Sequence, residues 1–495
     1  MKCDMGLRIP AKPATAGTKR IRGSMAARSL TVLASLAALT FLAALASVST
    51  IVRAAPPGDL DPAFAGSGYA TQSQGDLATG SAVIADFENR VVTAYSATSN
   101  APGSINEYSV VRYLANGALD ASFGAGGIVN LPLPSKDLLC NPELVEDNNT
   151  NLLVASCNAD TIFVWRLRNN GALDASFGSG GLASITVGAG VYPVIGLTQY
   201  KNRAMVATAS VARGGSRPRF TLVRLNNAGA LDTSLAGSGI ARYDILPGTA
   251  TEIGRATDVK MDTSGRIVLG GRVRSATTPE YQFALARASW NGALDASFGT
   301  AGVTSFPILL GPNFGRRLAF DPKDRILLAG SVCFPYDPVT FEQKCYVGLA
   351  RLLTNGTLDT SLIGGTGTYA YGGGGGPANP NAGFCTHYTY NYGMTTYKDY
   401  IYLVGMCDLL PFSTTPVYPF SNVAYTLRLD GNGQYDTSFG YTMNGYTYYD
   451  FGAPEATYLG VTLDKNAQIL AAGRRSKTIS DTEAYGEVVT ARMVQ

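Results

Sequence analysis

Leu119-Asp120-Ala121-Ser122-Phe123 is one of seven copies of a single phrase, and that recurrence decides the architecture. The other copies are Leu60-Asp61-Pro62-Ala63-Phe64, Leu173-Asp174-Ala175-Ser176-Phe177, Leu231-Asp232-Thr233-Ser234-Leu235, Leu294-Asp295-Ala296-Ser297-Phe298, Leu358-Asp359-Thr360-Ser361-Leu362 and Tyr435-Asp436-Thr437-Ser438-Phe439. Their aspartates are separated by 59, 54, 58, 63, 64 and 77 residues. A fixed period of this kind means one supersecondary unit repeated, each copy burying its apolar faces against its neighbours.

The fifth unit reads as four strands. Gly302–Pro307 is a short strand, Arg317–Asp321 leads into a Pro-Lys-Asp turn, Arg325–Gly330 returns, and Tyr346–Leu352 follows after a loop. The runs are short, aliphatic or β-branched, and punctuated by turn residues. Ile267–Gly271, Leu152–Ser156 and Ile469–Gly473 are matching inner strands, apolar on both faces as sandwiched strands must be. No sustained 3.6-residue apolar period follows residue 55. The expectation is an all-β fold, a seven-bladed β-propeller of four-stranded antiparallel blades over residues 55–495. An open β-solenoid is the alternative; its coils are shorter and lack these antiparallel turns.

Arginine also recurs in the last strand of every unit, at Arg112, Arg166, Arg224, Arg287, Arg351, Arg428 and Arg492. The first six lie eight residues before Asp120, Asp174, Asp232, Asp295, Asp359 and Asp436. Arg492 has no aspartate after it and Asp61 no arginine before it, so the two complete each other if the chain ends pair and close a ring. The aspartate is expected to cap a tight turn through backbone N–H groups, with arginine holding it as a bidentate partner. A residue present once per blade lies around a circle, which favours this structural role over a ligand set.

The phrase Asn-Gly-Ala-Leu-Asp-Ala-Ser-Phe-Gly, followed by Gly-Arg-Ile-Val-Leu-Gly-Gly at this spacing, resembles the delta-60 repeat family of bacterial proteins. The resemblance covers residues 58–495. It implies an exported, propeller-like protein without assigned catalytic activity, and it carries over no ligand residues. The sixth unit departs from the pattern through Gly372–Gly376 and a dense set of tyrosines.

Residues 1–54 read as a signal peptide. A basic stretch (Lys19, Arg20, Arg22, Arg28) precedes the uncharged run Leu30–Val48, and small-residue cleavage sites follow at Ala44-Leu45-Ala46 and Val52-Arg53-Ala54. The run is also long enough for an uncleaved anchor. Met25-Ala-Ala-Arg would make a more ordinary start, with residues 1–24 an over-extension. Of the 39 basic and 36 acidic residues, the segment holds eight and one, which leaves 31 against 35 beyond it. A net charge near −4 gives no electrostatic footprint for nucleic acid.

Six cysteines remain beyond the signal and form three local pairs, Cys140–Cys157, Cys333–Cys345 and Cys385–Cys407. Six cysteines allow fifteen connectivities. Hairpin register favours the local set, since the first and third pairs flank turns at Asp147–Asn151 and Tyr397–Asp399. Disulfides agree with an exported chain, placing the protein in the periplasm, at the cell surface or outside the cell.

Catalytic signals are few. The single histidine, His387, sits beside Cys385, and no Gly-x-Ser-x-Gly elbow accompanies it. Gly372–Gly376 lacks the Lys-Ser/Thr of a phosphate loop, and hairpin tips such as Asp262–Gly265 have too few acids for calcium. No metal or cofactor is expected. The tyrosines stand out: Tyr388, Tyr390 and Tyr392 alternate onto one strand face, and Tyr446 and Tyr448 repeat the pattern. They are the candidate binding surface for an extracellular protein or glycan; otherwise they fill space between blades. The expected function is a monomeric, non-enzymatic binding or scaffold protein, touching a membrane only through its signal segment. The alternative is a carboxylate- or calcium-dependent propeller hydrolase or lyase.

Overall fold

The computed structural model describes residues 55–98, 107–133, 140–188, 194–210, 217–249, 251–339, 343–372, 388–409, 421–440, 444–480 and 483–495. Every regular element among them is a strand. After β1 (Tyr69–Gln72) comes a quartet of β2 (Leu77–Ala85), β3 (Val91–Thr98), β4 (Glu107–Tyr113) and β5 (Ile128–Asn130). The second quartet is β6 (Glu143–Glu146), β7 (Leu152–Cys157), β8 (Thr161–Leu167) and β9 (Leu182–Thr186). The third is β10 (Gly196–Tyr200), β11 (Arg203–Ser210), β12 (Arg219–Leu225) and β13 (Ile240–Tyr243). The fourth is β14 (Ile253–Met261), β15 (Ile267–Arg274), β16 (Gln282–Ala288) and β17 (Val303–Phe306). The fifth is β18 (Asn313–Phe320), β19 (Ile326–Cys333), β20 (Cys345–Leu352) and β21 (Thr368–Tyr371). The sixth is β22 (Thr389–Tyr397), β23 (Tyr400–Leu409), β24 (Ser421–Leu429) and β25 (Tyr446–Tyr449). Three strands end the chain: β26 (Ala456–Leu463), β27 (Ile469–Ser480) and β28 (Glu483–Met493).

Within each quartet, strands pair antiparallel in chain order, the plan of a β-propeller blade. Five quartets are separate four-stranded sheets. The sixth sheet has eight strands: β26-β27-β28 takes β1 as its outer strand, and β28 meets β2 through one parallel bridge, Leu77 with Gly486. The β1–β28 ladder sets Tyr69 opposite Ala491 and Gln72 opposite Val488. Upstream of it, Gly58 N–H donates to Val494 O at 2.8 Å and Asp61 N–H to Arg492 O at 2.9 Å. The two ends therefore pair.

The apolar clusters lie between consecutive sheets, which is why the middle strands are apolar on both faces. Leu153 and Val164 of the second quartet pack with Val206 and Val223 of the third. Val83 and Val91 pack with Leu470 and Val488 where the ends meet. Trp165 is fully buried at such a seam, its indole N–H donating to Pro132 O at 3.1 Å.

Two details differ from the sequence reading. The repeated arginines lie on the third strand of each sheet, with the outermost strand after the Leu-Asp turn. The strand expected from Arg317 begins at Asn313 instead. A register shift between Gly315 and Arg317 interrupts the side-chain alternation that marks a strand in sequence. Equivalent shifts occur at Gly80/Ala82, Ala256/Asp258, Asn391/Gly393 and Tyr458/Gly460.

The topology gives two unlike faces. One carries the tight turns between first and second strands, together with the Leu-Asp turns. The connections between second and third strands, and from sheet to sheet, depart from the other.

Candidate functional site

On the turn face, six of the seven Leu-Asp phrases build the same assembly, and the first keeps the capped turn with Ala63 in place of serine. In the third copy Asp174 Oδ1 accepts the N–H and the hydroxyl of Ser176, at 3.2 and 2.8 Å. Its Oδ2 accepts Arg166 Nε at 2.8 Å. Arg166 also donates to Ser176 Oγ and to the carbonyl of Asn227 in the next repeat, and it stacks on Phe177 with its carbon 4.7 Å from the ring centre. Aspartate, serine and phenylalanine of the phrase thus each have a physical task. Leucine is fixed by a glycine just beyond the phrase: at Gly181, where φ is +99°, a Cβ would come within 2.8 Å of Leu173 Cβ.

The same ion pair joins Arg112–Asp120, Arg224–Asp232, Arg287–Asp295, Arg351–Asp359 and Arg428–Asp436, at 2.7–3.0 Å. Arg492 reaches Asp61 at 2.8 Å and donates onward to Ala115 O. The expected bidentate fork is not formed. The second carboxylate oxygen is already taken by the capped turn, so arginine meets Oδ2 alone and turns its other nitrogen to serine. Burial pushes the Asp174, Asp232 and Asp359 carboxyls up, but the serine hydroxyls and arginines outweigh it and hold them at about 2. Hairpin side chains add a second contact: Arg203 to Asp232 at 2.9 Å, Arg325 to Asp359 at 2.9 Å, and neutral Gln468 to Asp61 at 2.8 Å. The Asp-x-x-x-Arg spacing of Asp321 and Arg325 was the available sequence signal.

The staples lie toward the opposite face. Cys140–Cys157 and Cys333–Cys345 are disulfides with Cα separations of 5.1 and 4.0 Å. Cys333 and Cys345 face each other across β19 and β20. Cys407 is also disulfide-bonded; Cys385 and His387 lie outside the described residues.

The tyrosines do not form one surface. Tyr390 and Tyr392 stack at 6.4 Å on β22, at the channel side of their sheet, and Arg316 lies 4.7 Å from the Tyr392 ring centre. Tyr388 N–H donates to Asp408 Oδ1 at 2.7 Å. Tyr446 and Tyr448 are on β25, the outermost strand of that sheet. Tyr446 is 7% exposed and belongs to the core with Leu427 and Tyr371, whereas Tyr448 is 50% exposed. Alternation on an edge strand cannot say which face meets the next sheet, and here Tyr446 is core.

A propeller implies a central channel, but the residues that line it are what sequence reasoning missed. The first strands of every quartet and β26 line a cavity of about 490 Å³ that includes Ser81, Leu144, Thr198, Lys260, Thr395 and Thr462. Glu143 of β6 and Arg317 of β18 meet across it at 2.7 Å, linking sheets that are not neighbours. Their remaining exposure, 15% and 18%, faces the lumen. Burial raises the Glu143 carboxyl above its ordinary value against the pull of Arg317. Asp258 sits nearby, its oxygens accepting the N–H groups of Val259 and Leu318 at 2.8 Å each. No local sequence pattern foretells a pair 174 residues apart.

A protein-family profile described as a domain of unknown function, DUF5122 beta-propeller, matches residues 91–123. No curated protein matches the chain. Among solved structures, a protein of unknown function from Dyadobacter fermentans is 12% identical with a TM-score of 0.37, covering 73% of this chain and 99% of its own. An α-L-arabinofuranosidase from Fusarium graminearum is 8% identical with a TM-score of 0.38, covering 85% and 98%. Drosophila Plexin A in complex with Semaphorin 1b is 9% identical with a TM-score of 0.38, covering 85% and 88%. Enzymes and non-enzymes both occur among them, and likeness at this level carries no functional argument.

Proposed function

We propose that the chain is an exported, non-enzymatic binding propeller of seven blades. In this reading the eight-stranded sheet is two blades joined at the Leu77–Gly486 bridge, and residues 55–495 are one domain preceded by a cleaved signal peptide, residues 1–54. The carrying observation is the division of labour between the two faces. The Arg/Asp turns occupy one face and are spent on holding the repeats together. Longer connections, the Cys140–Cys157 and Cys333–Cys345 disulfides, and Tyr388, Tyr390 and Tyr392 belong to the other. Function on repeat folds resides in loops carried by a uniform frame. Disulfides support export to an oxidising compartment.

The partner is an extracellular protein or glycan, contacted through Tyr388, Tyr390 and Tyr392 by a monomer. Binding of the secreted protein to a glycan array, and capture of envelope proteins, are compared between the wild type and the Tyr388/Tyr390/Tyr392→Ala variant. Loss of binding in the variant supports the reading, and unchanged binding moves the contact elsewhere. The hydrolase alternative draws on Glu143, the channel carboxyl held above its ordinary value. Turnover of a polysaccharide or ester that disappears in Glu143→Gln would establish it.

A further inference from the structure

The channel holds two cavities, and the strand irregularities line one of them. Ser81, Arg316, Tyr392 and Leu459 are the residues displaced by the register shifts in β2, β18, β22 and β26. An extra residue in a strand re-aims its side chain, and all four line a recess of about 50 Å³ on the loop side of the channel. The larger chamber, about 490 Å³, is bounded by the second halves of the same strands, nearer the tight turns. Glu143, Arg317 and Ser81 line both cavities, and the Glu143–Arg317 ion pair lies where the two meet. Arg317 Nε also donates to Tyr392 O at 3.0 Å, which fixes the guanidinium from a third strand.

The chamber side of this ion pair has unspent polar capacity. Lys260 Nζ is 3.7 Å from Asp258 Oδ1, beyond hydrogen-bond length, and its side chain is 38% exposed. Gln199 is also on this wall, its Nε2 donating to Asn148 Oδ1 at 3.0 Å. Phe320, Met261 and Met394 supply apolar wall between these groups.

We infer that this chamber is a second binding site, independent of the loop face, for a small polyhydroxylated molecule of one hexose or hexuronate ring. The volume is that of a small-molecule pocket. Fixed donors and acceptors suit hydroxyls, and Phe320 with the methionines suits the C–H face of a sugar ring. An apolar ligand would strip water from Glu143, Arg317 and Lys260 without replacing its bonds. A multiply charged ligand would disturb a lumen where two carboxylates already balance two cations.

The test is saturation-transfer NMR on the full secreted chain with D-glucose, D-galactose, D-mannose and D-glucuronate as probes. Thr198→Trp and Thr462→Trp fill the chamber from two different strands, and thermal melts identify which variants fold. Lys260→Met removes the ammonium at nearly constant volume. Transfer to at least one probe is expected, abolished in the folded tryptophan variants, weakened at least tenfold in Lys260→Met, and retained in a Tyr388/Tyr390→Ala variant that leaves Tyr392 in place. Transfer to no probe overturns the proposal. So does transfer that persists in a folded tryptophan variant, is unchanged in Lys260→Met, or disappears in the tyrosine variant.

Discussion

Arg428→Ala tests the account of the repeated ion pair most sharply. Arg428 Nε bonds Asp436 Oδ2 at 2.7 Å and its Nη2 bonds Ser438 Oγ at 2.9 Å, while the guanidinium lies between Phe439 and Tyr400, 4.6 and 4.8 Å from their ring centres. The mutation removes a charge-assisted bond, two cation–π contacts and packing volume. It leaves Asp436 with the donors of Ser438 alone among the described residues. Breaking a buried pair from one side costs about 3–5 kcal/mol; Asp436 retains 12% side-chain exposure, so water replaces part of the loss and about 3 kcal/mol is expected. Arg224→Ala is the control. Its partner Asp232 keeps Arg203 at 2.9 Å. Double-mutant cycles with Asp436→Asn and Asp232→Asn isolate the pairwise coupling. Urea unfolding with disulfides intact should give about 2 kcal/mol for Arg428–Asp436 and about 1 kcal/mol for Arg224–Asp232. Equal couplings, or an unmoved midpoint for Arg428→Ala, would refute the reasoning.

Acid should act through the same turns. The Asp174, Asp232 and Asp359 carboxyls are held at about 2, below the ordinary value, so their stabilisation is full above about pH 4 and lost as pH falls through 2; urea midpoints between pH 5 and 2 check it. Glu146 runs the other way: burial and Asp86 raise its carboxyl to about 7, so its contribution is full below about pH 4.5 and falls as pH rises through 7. Glu146→Gln should flatten that slope and add about 1 kcal/mol at pH 8, discounted because the group is only half-buried, as measured by denaturation at both pH values. Non-reducing peptide mapping should recover Cys140 with Cys157 and Cys333 with Cys345, and free thiols there would remove the argument for export. A chain starting at residue 74 lacks β1 and should melt lower and aggregate along the exposed edge of β28.

The repeat period, the Arg/Asp spacing and the hairpins were legible because each is local, written within about a dozen residues. The pairing of Arg492 with Asp61 was legible for a different reason: two unmatched members of a regular series need one another. The bulges at Ser81 and Arg316 were not, since an inserted residue erases the alternation that marks a strand. Glu143 and Arg317 carried no signal because only the curvature of the whole ring brings β6 opposite β18. Tyr446 misled for a related reason, as its burial depends on the sheet packed against β25.

The pairing of β1 with β28 also sets an order of events in time. Residues 69–72 are made well before residues 488–491, and between them every other sheet can complete itself from one contiguous stretch. Joining Asp61 to Arg492, 431 residues apart, carries a large loop-closure cost, and closure is expected to be the final and slowest step. Until then the nascent chain is an open arc whose two end sheets each lack a neighbour. Under the export proposed above, the chain would not lock into its finished shape before β28 had crossed.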